Sequence, residues 1–240
     1  MPRLDNRNNN ELRKIEITRH YTKFAPGSVL ICFGETKVIC TAIYEEKVPP
    51  FLKGSGQGWI SAEYAMLPSS VTVRKQRDIN KGRLDGRSAE IQRLIGRALR
   101  SVVNLKMLGE RTIWLDCDVL QADGGTRTAA ITGAYIALRD CIDHMTKMKL
   151  LKTSPLQCAV AAISCGILND EVLLDLCYSE DSEAQADMNI VMTDTGEFIE
   201  MQGTGEKRPV RYDELMDMLD MAKLGIEQIF YHQYNALEKE

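Results

Sequence analysis

The chain has 240 residues, of which 44% are hydrophobic, so it can bury a full core without disulfide bonds or structural metals. Its net charge of −4 and pI of about 5.6 argue against a protein that binds nucleic acid over its whole surface. Seven cysteines without a C-x-x-C pair, and three histidines far apart in the chain, leave no zinc site that spacing could reveal.

The first third of the chain is predicted to form β-strands. Apolar residues alternate over 28–33 and over 37–44, and the Gly-Glu-Thr sequence between them predicts a tight turn, so these two strands form a hairpin. A short apolar stretch follows at 59–67. Residues 69–87 have almost no apolar periodicity, which predicts a loop.

Basic residues concentrate between Arg74 and Lys106. This stretch holds ten basic and three acidic residues, a charge of +7, so the rest of the chain carries −11. Such asymmetry is typical of a cationic surface for a polyanion, and a solvated helix whose arginines pair with acids elsewhere explains it equally well. Within the stretch, apolar residues at i, i+3, i+4 and i+7 predict a helix with Ser88 as its N-cap and Gly109 as its stop.

The strongest local signal is the sequence QADGGTRT at 121–128, between a predicted strand at 112–121 and a second predicted helix. Helix N-termini leave N–H groups unpaired and carry a positive dipole end, and both suit an oxyanion. Thr126 adds a hydroxyl donor and Arg127 a guanidinium group. These features favour a phosphate-binding turn, although an ordinary strand-to-helix turn also needs glycine. Arg87, near the start of the basic helix, is a second candidate anion ligand.

The second half of the chain repeats the order of strands followed by a helix. Hairpins are predicted over 158–178 and 188–202, and a terminal helix begins near Asp213. This pattern predicts a single α+β domain with two pseudo-repeated halves, about 1–150 and 151–240. The polar start of the chain and the lack of an apolar run of about 18 residues predict a cytoplasmic protein that makes no membrane contact.

An acidic run from Glu180 to Asp187 lies between two of these strands. Magnesium is bound by one or two carboxylates together with phosphate oxygens of a substrate, and such a run could supply the carboxylates. Carboxylates six residues apart do not share a helix face, so a metal site requires the segment to bend. A solvated acidic loop explains the run without a metal. A phosphate-binding turn, a cationic track and a carboxylate cluster are together the parts needed for phosphoryl transfer on a polyanion.

Five groups of motifs together resemble the ribonuclease PH family. They are GSGQGWISAEY at 54–64, GR with EIQRLI at 86–95, LDCDVLQADGGTRT at 115–128, DMNIVMT at 187–193 and QGT at 202–204. They follow one another over nearly the whole chain. The resemblance implies an α+β fold of the ribosomal protein S5 domain 2-like type, with residues 1–240 as one domain. It also implies a homohexamer, built as a trimer of dimers.

The family resemblance further implies a reaction. Inorganic phosphate, as co-substrate, attacks the 3′-terminal phosphodiester of RNA and releases a nucleoside 5′-diphosphate, and we expect the reaction also to run backwards. The implied activity is that of a phosphorolytic tRNA nucleotidyltransferase that trims transfer RNA precursors, with ribosomal RNA as a further candidate substrate. The residues implied to bind phosphate are Arg87, Gly125, Thr126 and Arg127. The implied catalytic carboxylates, which also hold Mg²⁺, are Asp181 and Asp187, and the implied RNA-binding residues are Arg74 and Arg77.

Two other interpretations compete with this one. The first is a non-catalytic, RNA-binding ring subunit of an exosome-like assembly. Such subunits lose the phosphate-binding arginine or the carboxylates, whereas Arg127, Asp181 and Asp187 are all present here. The second is a plain RNA-binding module of the same fold, which would not need the Gly-Thr-Arg turn. Ser69 stands where related sequences have a further arginine, which leaves RNA affinity and ring packing open.

Overall fold

The computed structural model describes residues 3, 5–83 and 85–238. Within these residues the chain forms two β-sheets and five α-helices, so the predicted α+β architecture is confirmed. A continuous hydrophobic core includes residues of both sheets and of the three longest helices. None of the helices in the described part of the chain is long and apolar enough to cross a bilayer.

The first sheet has five strands in the order β1-β2-β3-β5-β4. Its strands are β1 (Ile15–Arg19), β2 (Gly27–Phe33), β3 (Thr36–Glu45), β4 (Trp59–Met66) and β5 (Thr112–Gln121). The pair β4–β5 is parallel and the other neighbours are antiparallel. The predicted hairpin is β2–β3, and its turn places Gly34 at a φ of 55°, a left-handed conformation that glycine adopts without strain. Alternate residues of β3 and β5 are buried, which gives this sheet one core-facing side.

The basic helix α1 (Gly86–Ser101) begins two residues before its predicted N-cap. The N-cap is Asp85, so the prediction of Ser88 as N-cap is wrong. Ser88 lies buried in the first turn instead. Both residue types favour N-cap positions, and the local sequence does not choose between them. The earlier start places Arg87 within the first helical turn rather than before it.

The predicted end of this helix is also wrong. The chain leaves the helix after Ser101, and Val103 forms an isolated β-bridge with Leu156. The side chain of Asn104 then caps a separate one-turn helix, α2 (Leu105–Leu108). Gly109, the predicted stop, ends α2 and not α1.

The helix α3 (Thr126–Lys147) is buried on most sides, as a helix between two layers must be. It packs against the core side of the first sheet and against a strand of the second sheet, β6 (Val160–Leu168). The Thr132 hydroxyl accepts a hydrogen bond from the Ala162 amide at 3.2 Å, which ties α3 to β6. Its start at Thr126 agrees with the prediction from the Gly-Gly turn.

The second sheet has four antiparallel strands in the order β7-β6-β8-β9. The remaining strands are β7 (Glu171–Leu174), β8 (Ala186–Thr193) and β9 (Phe198–Thr204). The long terminal helix α5 (Tyr212–Glu238) packs on this sheet, as its apolar spacing predicts. The predicted strand over 171–178 is too long, because Asp175 adopts a left-handed φ of 53° and the chain turns into a one-turn helix, α4 (Tyr178–Asp181).

Candidate active site

A cavity of about 510 Å³ lies where the first turns of α1 and α3 meet α4 and one end of the second sheet. It brings together six of the eight residues that the sequence singled out, and these are Arg87, Gly125, Thr126, Arg127, Asp181 and Asp187. They come from four different elements of the fold. The cavity is strongly polar, so it suits a charged ligand more than an apolar one.

The Gly-Gly turn before α3 is held from both sides. Gly124 and Gly125 have φ values of 73° and 63°, which side-chain-bearing residues rarely adopt. The Thr36 hydroxyl donates to the Gly124 carbonyl at 2.6 Å and accepts from the Asp123 amide at 2.9 Å. A Cβ on Gly124 would lie 2.5 Å from the Leu176 carbonyl oxygen, so only glycine allows the turn to approach the segment before α4 this closely. The turn therefore presents the start of α3 to the cavity in a fixed orientation.

Thr126, the first residue of α3, is oriented by a tyrosine from the first sheet. The Tyr64 hydroxyl donates to Thr126 Oγ1 at 2.9 Å, and both side chains are buried. Burial raises the pKa of Tyr64, so this phenol stays protonated and remains a donor at neutral pH. Because Thr126 Oγ1 accepts this hydrogen bond, its own proton is available to a ligand in the cavity.

Arg127 is held at one side of the cavity by a glutamine. Its Nη1 donates to Gln202 Oε1 at 2.7 Å, and Gln202 Nε2 donates to Glu90 Oε1 at 2.6 Å. Glu90 Oε1 itself lies 3.7 Å from Arg127 Nη1. Three elements, α3, β9 and α1, thus meet through one chain of polar groups.

Three carboxylates also line the cavity, those of Asp181, Asp187 and Glu206. Burial raises the pKa of Asp181 above its ordinary value, although the nearby Arg87 and Arg127 lower it. Burial also raises the pKa of Asp187, and the negative charges of Asp181 and Glu206 raise it further. The site therefore holds carboxylates whose mutual repulsion a bound cation would relieve.

The floor of the cavity is a grid of polar residues on one face of the second sheet. In the strand register, Ser164, Asn189 and Gln202 form one row across β6, β8 and β9. Asp187 and Thr204 are paired two residues further along, in the next row on the same face. Sequence reasoning assigned a role only to Asp187 in this grid, although Asn189, Gln202 and Thr204 also lie in the family motifs. The signal was polar residues at alternate positions of a strand, and it becomes informative only once the register is known.

Two arginines near the start of the chain form ion pairs with acidic residues in and just before α4. Arg3 donates to both carboxylate oxygens of Glu180 at 2.7 Å, and both side chains are buried. Arg13 pairs with the fully buried Asp175 at 2.7 Å and also donates to the Asp123 carbonyl at 2.5 Å. These arginines lie outside the predicted basic stretch, and sequence reasoning missed them.

Arg74 and Arg77, the two residues predicted to contact RNA, do not line this cavity. Arg77 lines a separate cleft of about 480 Å³ together with Glu63, Asp116 and Asp118. Burial raises the pKa of Asp118, the charge of Glu63 raises it further, and Arg77 lowers it. Arg77 thus lies next to an acidic patch of the first sheet rather than at the start of α3.

Within the described part of the chain, no group of three or more His, Cys, Asp or Glu side chains is arranged to hold a metal ion. Asp181 and Asp187 nevertheless provide the hard oxygen donors that Mg²⁺ prefers. Two carboxylates suit a metal that takes its remaining ligands from water and from substrate phosphate oxygens.

The fold and this cavity define an α+β protein whose polar site suits a phosphate-bearing ligand. Models of the 3′ exoribonuclease family (RNase PH) match the chain in two parts, domain 1 over residues 11–142 and domain 2 over residues 158–225. The chain therefore belongs to the 3′ exoribonuclease (RNase PH) family, as its motifs predicted.

Solved structures agree with the family fold. Rice (Oryza sativa) Rrp46 matches with a TM-score of 0.80 and 20% identity, over 98% of this chain and 100% of that chain. An Archaeoglobus fulgidus exosome with RNA bound to the active site matches with a TM-score of 0.81 and 21% identity, over 96% of this chain and 92% of that one. An archaeal exosome core gives a TM-score of 0.77 and 19% identity, over 97% and 91% of the two chains. At these identities the similarity establishes the fold.

Proposed function

We propose that this chain is a phosphate-dependent 3′-to-5′ exoribonuclease that trims the 3′ ends of transfer RNA precursors, with ribosomal RNA as a further substrate. One observation carries the proposal. The Gly125–Arg127 turn and the carboxylates of Asp181 and Asp187 line the same cavity. An anion-binding helix start and a carboxylate pair in one cavity are the groups that phosphoryl transfer between two phosphate groups needs.

Inorganic phosphate binds at the start of α3. The N–H groups of the first turn and the helix dipole attract it, the Thr126 hydroxyl donates to it, and Arg127 and Arg87 offset its charge. Binding at a fixed turn holds one phosphate oxygen in line with the terminal phosphorus of the RNA. Positioning of this kind supplies much of the rate enhancement in phosphoryl transfer, which needs little covalent help from the protein.

Asp181 and Asp187 are the residues that would hold Mg²⁺. When bound, the ion supplies positive charge next to the oxygens of the reacting phosphodiester. The raised pKa values of both carboxyl groups are consistent with this role, because they reflect buried negative charge without enough positive charge nearby.

The reaction balances without any further reagent. An oxygen of hydrogen phosphate forms a bond to the terminal phosphorus, and the bond from that phosphorus to the 3′ oxygen of the preceding nucleotide breaks. That oxygen takes up the proton that the hydrogen phosphate loses. The products are a nucleoside 5′-diphosphate and an RNA shortened by one nucleotide. Because one phosphate ester linkage is exchanged for one phosphoanhydride, we expect the reaction to run in both directions.

We further propose that the chain acts as a homohexamer, a trimer of dimers, and that Arg74 and Arg77 contribute to RNA contacts outside the cavity. Two of the structurally similar proteins are exosomes, one of them with RNA bound, which supports an assembly and an RNA ligand. The same similarity supports a second candidate, a non-catalytic RNA-binding subunit of an exosome-like ring. The retained Arg127 and carboxylates favour the enzyme.

The test is to incubate the protein with a 3′-extended transfer RNA and Mg²⁺, with and without inorganic phosphate, and to identify the released mononucleotides. We expect nucleoside diphosphates only with phosphate, and at least a hundredfold slower release by Arg127→Ala, because the variant loses a charged ligand of the attacking group. Arg139→Ala is the matched control, since Arg139 lies on the same helix outside the cavity and pairs with Asp143 at 3.0 Å. Monophosphates released without phosphate would indicate a hydrolase, and no release at all would favour the non-catalytic subunit.

A further inference from the structure

We propose that Gln202 is the positioning residue for Arg127, and that it holds the guanidinium group while keeping the Glu90 carboxylate from pairing with it directly. The inference rests on the proposed function, because it assumes that Arg127 binds phosphate. It gives Gln202, a residue of the QGT motif, a role that the family resemblance does not assign.

The side-chain amide of Gln202 makes two hydrogen bonds of opposite direction. Gln202 uses its amide oxygen to accept from Arg127 Nη1 at 2.7 Å and its amide nitrogen to donate to Glu90 Oε1 at 2.6 Å. A guanidinium group has only donors and a carboxylate only acceptors. Rotating the amide by half a turn would face N–H groups to the guanidinium and the carbonyl to the carboxylate. The neighbours therefore fix a single orientation of the Gln202 amide.

The Gln202 amide prevents Glu90 from pairing directly with Arg127. Glu90 Oε1 lies 3.7 Å from Arg127 Nη1, within the reach of an ion pair but too far for a hydrogen bond. A direct two-bond pair between a carboxylate and an arginine would occupy the same edge that a phosphate uses. Gln202 takes one N–H of Nη1 with a neutral oxygen instead. The rest of the guanidinium, which has five N–H donors in all, stays charged and available to an anion.

The positions of Gln202 and Arg127 at the cavity support this role. Gln202 and Arg127 both line the cavity, and the side chain of Arg127 is only 15% exposed. Arginine side chains have many rotamers, and holding one of them fixed in advance reduces the cost of binding a ligand. Glu90 follows Arg87 by three residues on α1, so it lies on the same side of the helix as that second candidate phosphate ligand. The amide thus connects Arg127 to the helix that carries Arg87.

The test measures binding of inorganic phosphate by calorimetry in the full-length protein, together with unfolding in urea. Gln202→Met keeps the length of the side chain and removes both hydrogen bonds, so we expect roughly tenfold weaker phosphate binding. With RNA present, the same variant should raise the KM for phosphate and leave kcat within about threefold. Gln157→Met, at an exposed position away from the cavity, is the control and should bind phosphate normally.

A charge swap separates positioning from a merely structural role. Gln202→Glu places two carboxylates against each other and pairs one with Arg127, so both stability and phosphate affinity should fall. The double variant Glu90→Gln/Gln202→Glu restores a donor–acceptor pair between the two positions and keeps the net charge. We expect it to recover stability but not phosphate affinity, because a carboxylate still neutralises Arg127.

Two outcomes would overturn the inference. One is Gln202→Met binding phosphate as tightly as the parent protein, and the other is the double variant recovering affinity together with stability. Both differ from failure of the proposed function. If Arg127→Ala itself binds phosphate normally, the phosphate site was placed wrongly, and Gln202 has no ligand group to position.

Discussion

Replacing Tyr64 by phenylalanine removes only the hydroxyl that bonds to Thr126, a residue that lines the proposed phosphate site. The ring is buried, at 1% exposure, and its hydroxyl donates to Thr126 Oγ1 at 2.9 Å. A neutral hydrogen bond contributes about 1 kcal/mol net to stability. We therefore expect Tyr64→Phe to lower the free energy of unfolding by about 1 kcal/mol.

The same change should weaken phosphate binding. Without the phenol, the Thr126 hydroxyl loses the neighbour that directs its proton toward the cavity. A loss of about 1 kcal/mol corresponds to roughly fivefold weaker binding. The effect can be read from ligand-linked stability. Phosphate at about 100 times its parent dissociation constant stabilises the parent by about 2.7 kcal/mol, and a fivefold weaker variant by about 1.8 kcal/mol.

The assay is urea unfolding of both proteins with and without inorganic phosphate. The control is Tyr135→Phe, a buried tyrosine on α3 that bonds to Arg139 away from the cavity, which should lose stability but keep the full phosphate effect. If Tyr64→Phe loses stability and still gains about 2.7 kcal/mol from phosphate, Tyr64 only packs the core and does not orient Thr126.

Two further predictions concern buried charge. Asp187→Asn should stabilise the free protein at about pH 7, because burial and the charge of Asp181 raise the folded-state pKa of Asp187 and so make its ionised form costly. This gain should shrink as the pH falls through the raised pKa toward about 4, and urea midpoints that differ equally at both pH values would contradict it. Asp175→Asn should lower the free energy of unfolding by about 3–5 kcal/mol, since it leaves Arg13 buried without its counter-charge, and an unchanged urea midpoint would show that the pair contributes little.

The sequence predicted best those parts of the fold in which local residue patterns all indicate the same structure. Apolar residues alternate at 113, 115, 117 and 119, and the two glycines after this strand precede α3 where predicted. The basic helix shows the opposite case. Apolar spacing continues past Ser101, but the chain there pairs with a segment of the other half. The Gln157 amide donates to the Val102 carbonyl at 2.9 Å, and the Asn104 amide donates to the Pro155 carbonyl at 2.8 Å. A contact between residues so far apart in sequence leaves no trace in local periodicity.

The candidate site divides in the same way. Arg127 and Thr126 could be found because a glycine-rich turn before a helix has a distinct composition. Gln202 and Tyr64 could not be found by spacing, because a single polar residue in a strand is ordinary. Their importance comes from the strand register, which brings each of them to one atom of the turn.

The position of Asp181 depends on residues that are distant from it in the sequence. The helix that carries it, α4, has four residues, and a single turn is not stable by itself in water. Within α4 the Glu180 carboxylate accepts from the Cys177 amide at 3.0 Å, and the same carboxylate is held by Arg3, 177 residues away in the chain. Burial alone would raise the pKa of Glu180, but these hydrogen bonds outweigh it and lower that pKa. Glu180 thus anchors the turn, whereas the neighbouring Asp181, whose pKa is raised by burial, lines the cavity. Adjacent acids in one acidic run consequently have opposite roles, and only their partners distinguish the structural one from the one proposed to hold the metal.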